Sequence, residues 1–378
     1  MVLTVIVFLV ILSVLVLIHE AGHFFMAKFF GIKVEEFGFG LPPRAFGKKF
    51  GETIYSINWL PIGGFVKLYG EDEAGSGRVS VSSKKESKEP KAKNKDLERV
   101  FYSRPVWQRA VVVCAGVFMN FVLAVVLLSY LFAAVGVPAG GNKVIVTQVV
   151  SGTPAQSSGL KTGDTIEYIN NIKITSPGQI VDVTKQHLGE KITLRVETKD
   201  NKQETLEIVP RKNYPSNEGP MGVAISQNVI IQKYPWYKAP FVGISEAFTE
   251  MGLILSGLGM LVFQLFARGS VPQGVAGPVG IAELTGQFVA MGPYAVLSFV
   301  SLLSLNLAIL NILPIPALDG GRLFFILIEG ITRRKVNQQV ESYAHAIGMA
   351  VLLILIALIT LHDIIRIVTG QPLIPQLK

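Results

Sequence analysis

The stretch that decides the fold is the first part of the chain, MVLTVIVFLVILSVLVLIHEAGHFFMAKFF (residues 1–30). It is an almost continuous apolar run, longer than the ~20 residues that a helix needs to cross a bilayer. His19, Glu20 and His23 nevertheless interrupt it before it ends. A charged side chain at the centre of a membrane helix costs about 2.5–3.5 kcal/mol, so an ionisable residue there is a functional candidate by default. The run therefore predicts a membrane-spanning helix that carries a polar site.

The two histidines of this run are four residues apart, so on a helix they lie one turn apart on the same face. Two imidazoles in that arrangement can bind one Zn²⁺, and the glutamate between them can act on the attacking water. A catalytic zinc site takes three protein ligands, so the third must come from elsewhere in the chain. Asp319 is the strongest candidate, because it follows a later apolar run at the same predicted membrane depth. Weaker candidates are His345, Asp363, His187 and Glu329.

Composition predicts a membrane core with a water-exposed part, because 50% of the 378 residues are hydrophobic and only 16% are charged. Four runs are long enough to span: residues 2–30, 110–135, 295–313 and 346–361. The net charge of +8 does not indicate nucleic acid, because Lys and Arg cluster between the first two runs, as in a cytoplasmic loop. The single cysteine excludes a disulfide within the chain.

A fifth apolar stretch, residues 247–267, is also long enough to span. If it crossed, the basic residues 333–335 would fall on the outer side, against the rule that such residues stay inside. We therefore expect it to be interfacial or re-entrant.

These observations divide the chain into eight segments, each defined by its composition. They are a first span with HEAGH (1–30), a membrane-associated β-hairpin region (31–70), a flexible polar cytoplasmic loop (71–98), a second span (106–136), a soluble α+β module (141–226), an interfacial or re-entrant helical region (236–290), a third span with LDGG (293–328) and a fourth span (343–363). The predicted fold class is a polytopic α-helical membrane protein with about four spans, membrane-associated β-hairpins and one inserted α+β domain.

The inserted module resembles a PDZ domain. The resemblance lies in SGTPAQSSGLKTGDTIEYINNIKI (residues 151–174), where a proline-initiated helix, a Gly-Asp turn and a strand follow one another. By the same resemblance GPMGVAI (residues 219–225) corresponds to the loop and strand that receive a C-terminal peptide, and the groove residues would be Met221, Gly222 and Val223.

Together with this module, HEAGH (residues 19–23) and NILPIPALDGG (residues 311–321) resemble the site-2 protease family. The similarity is greatest to its bacterial RseP-type branch, which consists of intramembrane zinc metalloproteases with PDZ domains. The resemblance implies one catalytic Zn²⁺ with three ligands and a catalytic base. The implied ligands are His19, His23 and Asp319, and the implied base is Glu20.

The resemblance also implies a set of substrate-binding residues. Those that precede the ligand aspartate are Asn311, Pro314 and Pro316, and those in a hairpin that pairs with an unwound substrate strand are Gly63, Gly64 and Phe65. One departure concerns the second span, where the family usually has G-P-x-x-N and this chain has GVFMN (residues 116–120).

The implied function is cleavage of single-span membrane proteins or remnant signal peptides within the bilayer, in regulated proteolysis of the anti-sigma-factor type. The implied location is the bacterial cytoplasmic (inner) membrane, in contact with its lipids, with the active site near the cytoplasmic face and the PDZ domain outside. We expect no nucleic-acid partner. The alternative is a non-catalytic membrane PDZ scaffold or an inactive relative, which would lack a ligand or the base. A zinc transporter would instead have ligands near mid-membrane and no adjacent glutamate.

Overall fold

The computed structural model describes residues 2–70, 99–215, 218–268 and 275–370. The predicted flexible loop, residues 71–98, lies outside these described ranges. The chain forms two compact units, one of Met1–Ala133 with Pro235–Lys378 and the other of Ala134–Tyr234. We call the first the helical unit and the second the inserted module.

The described helices in chain order are α1 (Val2–Phe29), α2 (Val106–Ala134), α3 (Pro154–Ser157), α4 (Pro177–Gln186), α5 (Ala239–Arg268), α6 (Pro278–Met291), α7 (Pro293–Ile312), α8 (Asp319–Thr332) and α9 (Gln338–Val368), with a short 3-10 helix at Phe101–Ser103. The described strands are β1 (Val34–Phe50), β2 (Thr53–Leu68), β3 (Val137–Val149), β4 (Thr165–Ile169), β5 (Ile172–Lys173), β6 (Ile192–Glu197), β7 (Gln203–Ile208) and β8 (Val223–Gln232).

By length and composition, five of the described helices are able to cross a membrane: α1, α2, α5, α7 and α9. Four of them overlap the four predicted apolar runs. The fifth, α5, contains the stretch for which the sequence predicts an interfacial or re-entrant path, and that path stays a prediction.

The segment predicted to hold the third span and LDGG, residues 293–328, contains two helices. Helix α7 ends at Ile312 and α8 begins at Asp319. The break falls at Pro314 and Pro316, because proline cannot donate a helical hydrogen bond and disfavours helical geometry in the residue before it. Asp319 is thereby the first residue of a new helix.

Helices α1 and α2 pack closely where small residues meet. A methyl group in place of the Gly22 hydrogen would lie 2.3 Å from the carbonyl oxygen of Ala115. Small residues allow such backbone approach between membrane helices. Gly22 is the glycine of HEAGH, so this contact brings both histidines against α2.

The hairpin of β1 and β2 is folded into four paired segments. Phe37 pairs with both Tyr55 and Val66, while Phe46 pairs with Ile57. The resulting order across the sheet is residues 44–50, 53–58, 34–39 and 64–68. The last of these segments continues from Pro61, whose carbonyl accepts a hydrogen bond from the Ser13 hydroxyl of α1 at 3.1 Å.

The inserted module is an antiparallel sheet in the order β7-β6-β4-β3-β8, with β5 beside β4. Its fully buried core includes Val144, Ile166 and Leu194. The paired strands extend beyond the predicted limits of 141–226, because Val137 at the start of β3 pairs with Gln232 at the end of β8. The segment from Val137 to Gly141 contains a proline and two glycines, so its sequence does not show a strand pattern.

Candidate metal centre

Three side chains that are distant in sequence meet inside the helical unit. His19 Nε2 lies 2.8 Å from Asp319 Oδ2, and His23 Nε2 lies 3.2 Å from the same oxygen. The two Nε2 atoms are 3.2 Å apart. His19 is only 6% exposed, so the cluster is largely shielded from solvent.

These distances fit three ligands of one tetrahedral zinc ion. With metal–ligand bonds of about 2.0–2.1 Å, two ligands at the tetrahedral angle are about 3.3 Å apart. The three observed separations run from 2.8 to 3.2 Å. Two neutral imidazoles and one carboxylate are also the donor types that zinc prefers, so these residues could hold the metal and leave a fourth position open.

The orientation of His23 is fixed by the backbone of α2. Its Nδ1 lies 2.8 Å from the carbonyl oxygen of Val112. A carbonyl oxygen can only accept, so Nδ1 must carry the hydrogen, and the lone pair of Nε2 faces the cluster. Such a bond to the far nitrogen of a metal-binding histidine sets its tautomer and its ring orientation.

Gly116 and Asn120, on the same face of α2, accommodate and hold the imidazoles. A methyl group on Gly116 would lie 2.4 Å from His23 Nε2, so only glycine leaves room for the ring. The fully buried Asn120 has its amide nitrogen 3.3 Å from His19 Nδ1, and its Oδ1 has no hydrogen-bond partner in the described part of the chain. If the amide oxygen and nitrogen of Asn120 exchange places, Oδ1 accepts a hydrogen bond from His19 Nδ1–H. His19 Nε2 then keeps its lone pair for a metal.

Glu20 is held by the hairpin. Its Oε2 accepts a hydrogen bond from the backbone N–H of Val66 at 2.9 Å. Val66 belongs to the segment 64–68, and a methyl group on its neighbour Gly64 would lie 3.8 Å from Glu20 Cγ. The acidic side chain next to the paired histidines is therefore in direct contact with the predicted substrate-binding hairpin.

Asp319 reaches the histidines because the chain turns tightly between α7 and α8. A methyl group on Gly320 would lie 1.9 Å from the carbonyl oxygen of Leu313, and one on Gly321 would lie 2.6 Å from that of Ile315. The two glycines of LDGG thus let the turn fold back onto the start of α8. The carboxylate lies in the first turn of a helix, where the helix dipole favours negative charge.

The predicted substrate-binding residues lie in two places. Asn311 is at the cluster, with its amide nitrogen 3.3 Å from His19 Nε2. Pro314 and Pro316 lie in the turn before Asp319. Gly63, Gly64 and Phe65 lie on β2. A methyl group on Gly63 would be 3.7 Å from Val16 of α1.

The weaker third-ligand candidates have other partners. Glu329 pairs with Arg109 at 2.7 Å, and His187 Nδ1 bonds to the Val183 carbonyl at the end of α4. The His345 ring accepts from the N–H of Ala317.

Asp363, the remaining weaker candidate, also binds elsewhere. Its carboxylate accepts from the N–H groups of Gly277 and Gly280 at the start of α6.

The predicted groove residues lie in the inserted module: Met221 is 3% exposed within its core, Gly222 has φ of +74° and Val223 begins β8.

Four further residues shape this centre: Val112, Gly116, Asn120 and Val66. The sequence shows Gly116 and Asn120 only as parts of GVFMN, without a role at the metal, and gives no indication of the other two. The first three are spaced by four along α2 and thus share one helix face. A glycine followed four residues later by an asparagine inside an apolar run is a signal that could have indicated this face. No local signal marks Val66, because it acts through its backbone.

A cluster of two histidines, an aspartate and a glutamate among helices long enough to span a membrane defines a membrane-embedded zinc metallopeptidase. The chain belongs to peptidase family M50, the site-2 protease family, whose family model matches residues 7–355. The predicted family and the predicted enzyme class, a zinc metalloprotease, are confirmed.

The chain is similar over nearly its whole length to bacterial relatives. It is 31% identical to the regulator of sigma-W protease RasP of Bacillus subtilis, with 96% of this chain and 99% of that protein aligned. It is 34% identical to a putative zinc metalloprotease of Clostridium acetobutylicum, with 93% and 95% aligned. Among solved structures, the PDZ domain of the SdrC-like protein of Listeria monocytogenes matches with 20% identity and a TM-score of 0.21, covering 24% of this chain and 93% of that one.

Proposed function

We propose that this protein is an intramembrane endopeptidase that cleaves single-span membrane proteins, including remnant signal peptides, near the cytoplasmic face of a bacterial inner membrane. One zinc ion is held by His19, His23 and Asp319, and Glu20 is the catalytic base. The name of the Bacillus relative, a regulator of sigma-W protease, supports regulated proteolysis of the anti-sigma-factor type. The inserted module acts as a PDZ domain outside the membrane and receives a C-terminal peptide.

The observation that carries this proposal is the bond between Glu20 and the N–H of Val66, 2.9 Å long, beside the three metal-binding side chains. The proposed base and the strand proposed to receive the substrate are in contact. A bound substrate strand would therefore lie next to both the base and the metal position, as peptide hydrolysis requires.

Bound zinc supplies a Lewis acid and lowers the pKa of water toward ~7. Glu20 takes the proton of the attacking water at its carboxylate and returns it to the leaving amine. The backbone carbonyls of a membrane helix are hydrogen-bonded within that helix, so the substrate must open before it is cut. Pairing with residues 64–68 compensates the bonds lost on opening, and the Asn311 amide donates to a substrate carbonyl.

The matching depths of the two ligand segments support an active site near the cytoplasmic face. In the proposed topology α1 enters, α2 leaves, α7 enters and α9 leaves, with α5 re-entrant. This keeps residues 333–335 inside and the inserted module outside.

A second candidate, the non-catalytic scaffold, has no observation in its favour, since all three ligand positions and the base are present.

The test is Glu20→Gln in proteoliposomes that contain a single-span test protein. The glutamine oxygen can still accept from Val66 N–H and the three ligands are unchanged, so zinc content should equal that of the wild type. Removing a general base should lower the cleavage rate by about 10²–10⁴-fold. Glu250→Gln, which removes an acidic group from another candidate span, should cleave normally.

Chelation provides the complementary measurement. Removing the metal should abolish cleavage, and adding Zn²⁺ should restore it. Cleavage by zinc-loaded Glu20→Gln at the wild-type rate would eliminate Glu20 as the base, and cleavage that survives complete removal of zinc would reject the metal mechanism.

A further inference from the structure

His345 lies on α9, away from the metal cluster, and it contacts the turn that carries the ligand aspartate. It is 3% exposed, and its Nδ1 is 2.9 Å from the backbone nitrogen of Ala317. A backbone N–H can only donate, so Nδ1 is the acceptor, and the neutral ring carries its hydrogen on Nε2. This Nε2 is buried and has no hydrogen-bond partner within the described ranges.

The turn that His345 contacts has a backbone conformation that needs support. Ala317 has φ of +86°, a value that residues with a side chain rarely adopt. Such strained residues persist where the surrounding structure holds them, and they are common near functional sites. Ala317 lies two positions before Asp319, so a change in its backbone alters the direction in which the ligand carboxylate leaves the turn.

Helix α9 also packs closely against this turn at a glycine. A methyl group on Gly348 would lie 2.5 Å from Pro316 Cβ and 2.6 Å from the Pro316 carbonyl oxygen. Gly348 and His345 are three residues apart and therefore share a face of α9. This face of α9 contacts the turn, whereas Gly320 and Gly321 allow the turn itself to fold back onto the start of α8.

We propose that His345 is a positioning residue for the metal ligand Asp319: by accepting the N–H of Ala317 it fixes the strained turn that aims the carboxylate at the paired histidines. The inference rests on the proposed metal site and extends it to a residue that touches neither metal nor substrate. Partners that orient metal ligands typically change metal affinity or activity by about 10–100-fold when they are replaced.

The test compares three replacements of one side chain in the full-length protein in detergent. The Oδ1 of His345→Asn can accept a hydrogen bond at the place of Nδ1, whereas the longer His345→Gln carries its acceptor toward the place of Nε2. His345→Leu has no acceptor. His362→Leu, a change to another histidine of α9, is the matched control.

Zinc affinity is measured by competition with a chromogenic chelator, and cleavage is measured at saturating zinc. We expect His345→Leu and His345→Gln to lose about 10–100-fold in zinc affinity. His345→Asn should stay within a few-fold of the wild type, and His362→Leu should be unchanged. Cleavage at saturating zinc should fall for the leucine and glutamine variants, because the carboxylate is also misdirected when the metal is bound.

Equal zinc affinity in all three variants and the wild type would overturn the proposal. Equal losses in all three would also overturn it, because the ring would then act through its volume and not through the acceptor. If the leucine variant does not fold, the asparagine and glutamine pair still decides. Wild type and Glu20→Gln are titrated alongside: failure of both to bind zinc would reject the metal site itself, whereas failure of the His345 series alone would reject only the positioning role.

Discussion

Gly116→Ala should damage the metal centre without altering any polar group in it. The added methyl would lie 2.4 Å from His23 Nε2 and 2.8 Å from His19 Cε1, whereas ordinary contacts begin at 3.4 Å. The His23 ring must therefore move by 3.4 − 2.4 Å, about 1 Å, or the two helices must separate. Metal–ligand distances are tolerated only within about 0.2 Å, so a shift of this size prevents the three ligands from meeting at one ion.

A displacement of about 1 Å in an active site costs on the order of 100-fold in rate. Overpacking a close helix contact costs a further ~1–3 kcal/mol of stability. We expect purified Gly116→Ala to contain much less zinc than the wild type, measured by elemental analysis, and to cleave a reconstituted single-span substrate at least about 100-fold more slowly.

The matched control is Gly257→Ala on α5, where nothing lies within 4 Å of the added methyl. There the exchange should be neutral or slightly stabilising, because alanine favours a helix over glycine by about 1 kcal/mol. A Gly116→Ala protein with full zinc content and wild-type cleavage would refute the reasoning, since it would mean that the imidazoles do not lie against α2.

Two further predictions concern single contacts. Asn120→Leu removes the proposed acceptor for His19 Nδ1–H and should weaken zinc binding by about 10–100-fold in chelator competition, and unchanged affinity would contradict that role. The pKa of Glu52 lies below its usual value of 4.5 because Lys28 donates a hydrogen bond to it and Arg99 adds a second. A carboxyl whose pKa is lower in the folded state stabilises the fold at pH values above 4.5, and this stabilisation is lost as the pH falls through the folded-state pKa. Glu52→Gln should therefore lower the melting temperature at pH 7, and its difference from the wild type should become smaller toward pH 3.

Much of the architecture was predictable because it is encoded locally. An apolar run of sufficient length predicts a membrane helix wherever it occurs, and the runs at residues 2–30 and 110–135 correspond to α1 and α2 within a few residues. The four-residue spacing of His19 and His23 needs only helix geometry to place both rings on one face. The proposed third ligand was less accessible: five candidates were open, and Asp319 was favoured by its predicted membrane depth and by the resemblance of its surrounding motif.

Other features could not be predicted from local patterns. The third apolar run was predicted to end at residue 313, but the return of Asp319 to the paired histidines depends on the turn between α7 and α8. His345 was considered as a ligand because of its residue type, yet its ring binds the backbone of Ala317. A backbone partner leaves no trace in residue identity, and the same holds for the contact between Glu20 and Val66.

The sequence by itself determined the membrane helices, the paired imidazoles with their glutamate, and the chemistry that such a set can perform. Only the tertiary structure decided which faces meet. His19 and Asp319 are 300 positions apart, and His23 is 89 positions from the carbonyl that orients it. Helical periodicity places a side chain relative to its own helix axis, whereas the approach of two helices depends on where backbones come within contact distance. In this protein that place is set by glycines, at Gly22 and Gly116 between α1 and α2 and at Gly348 against the ligand turn.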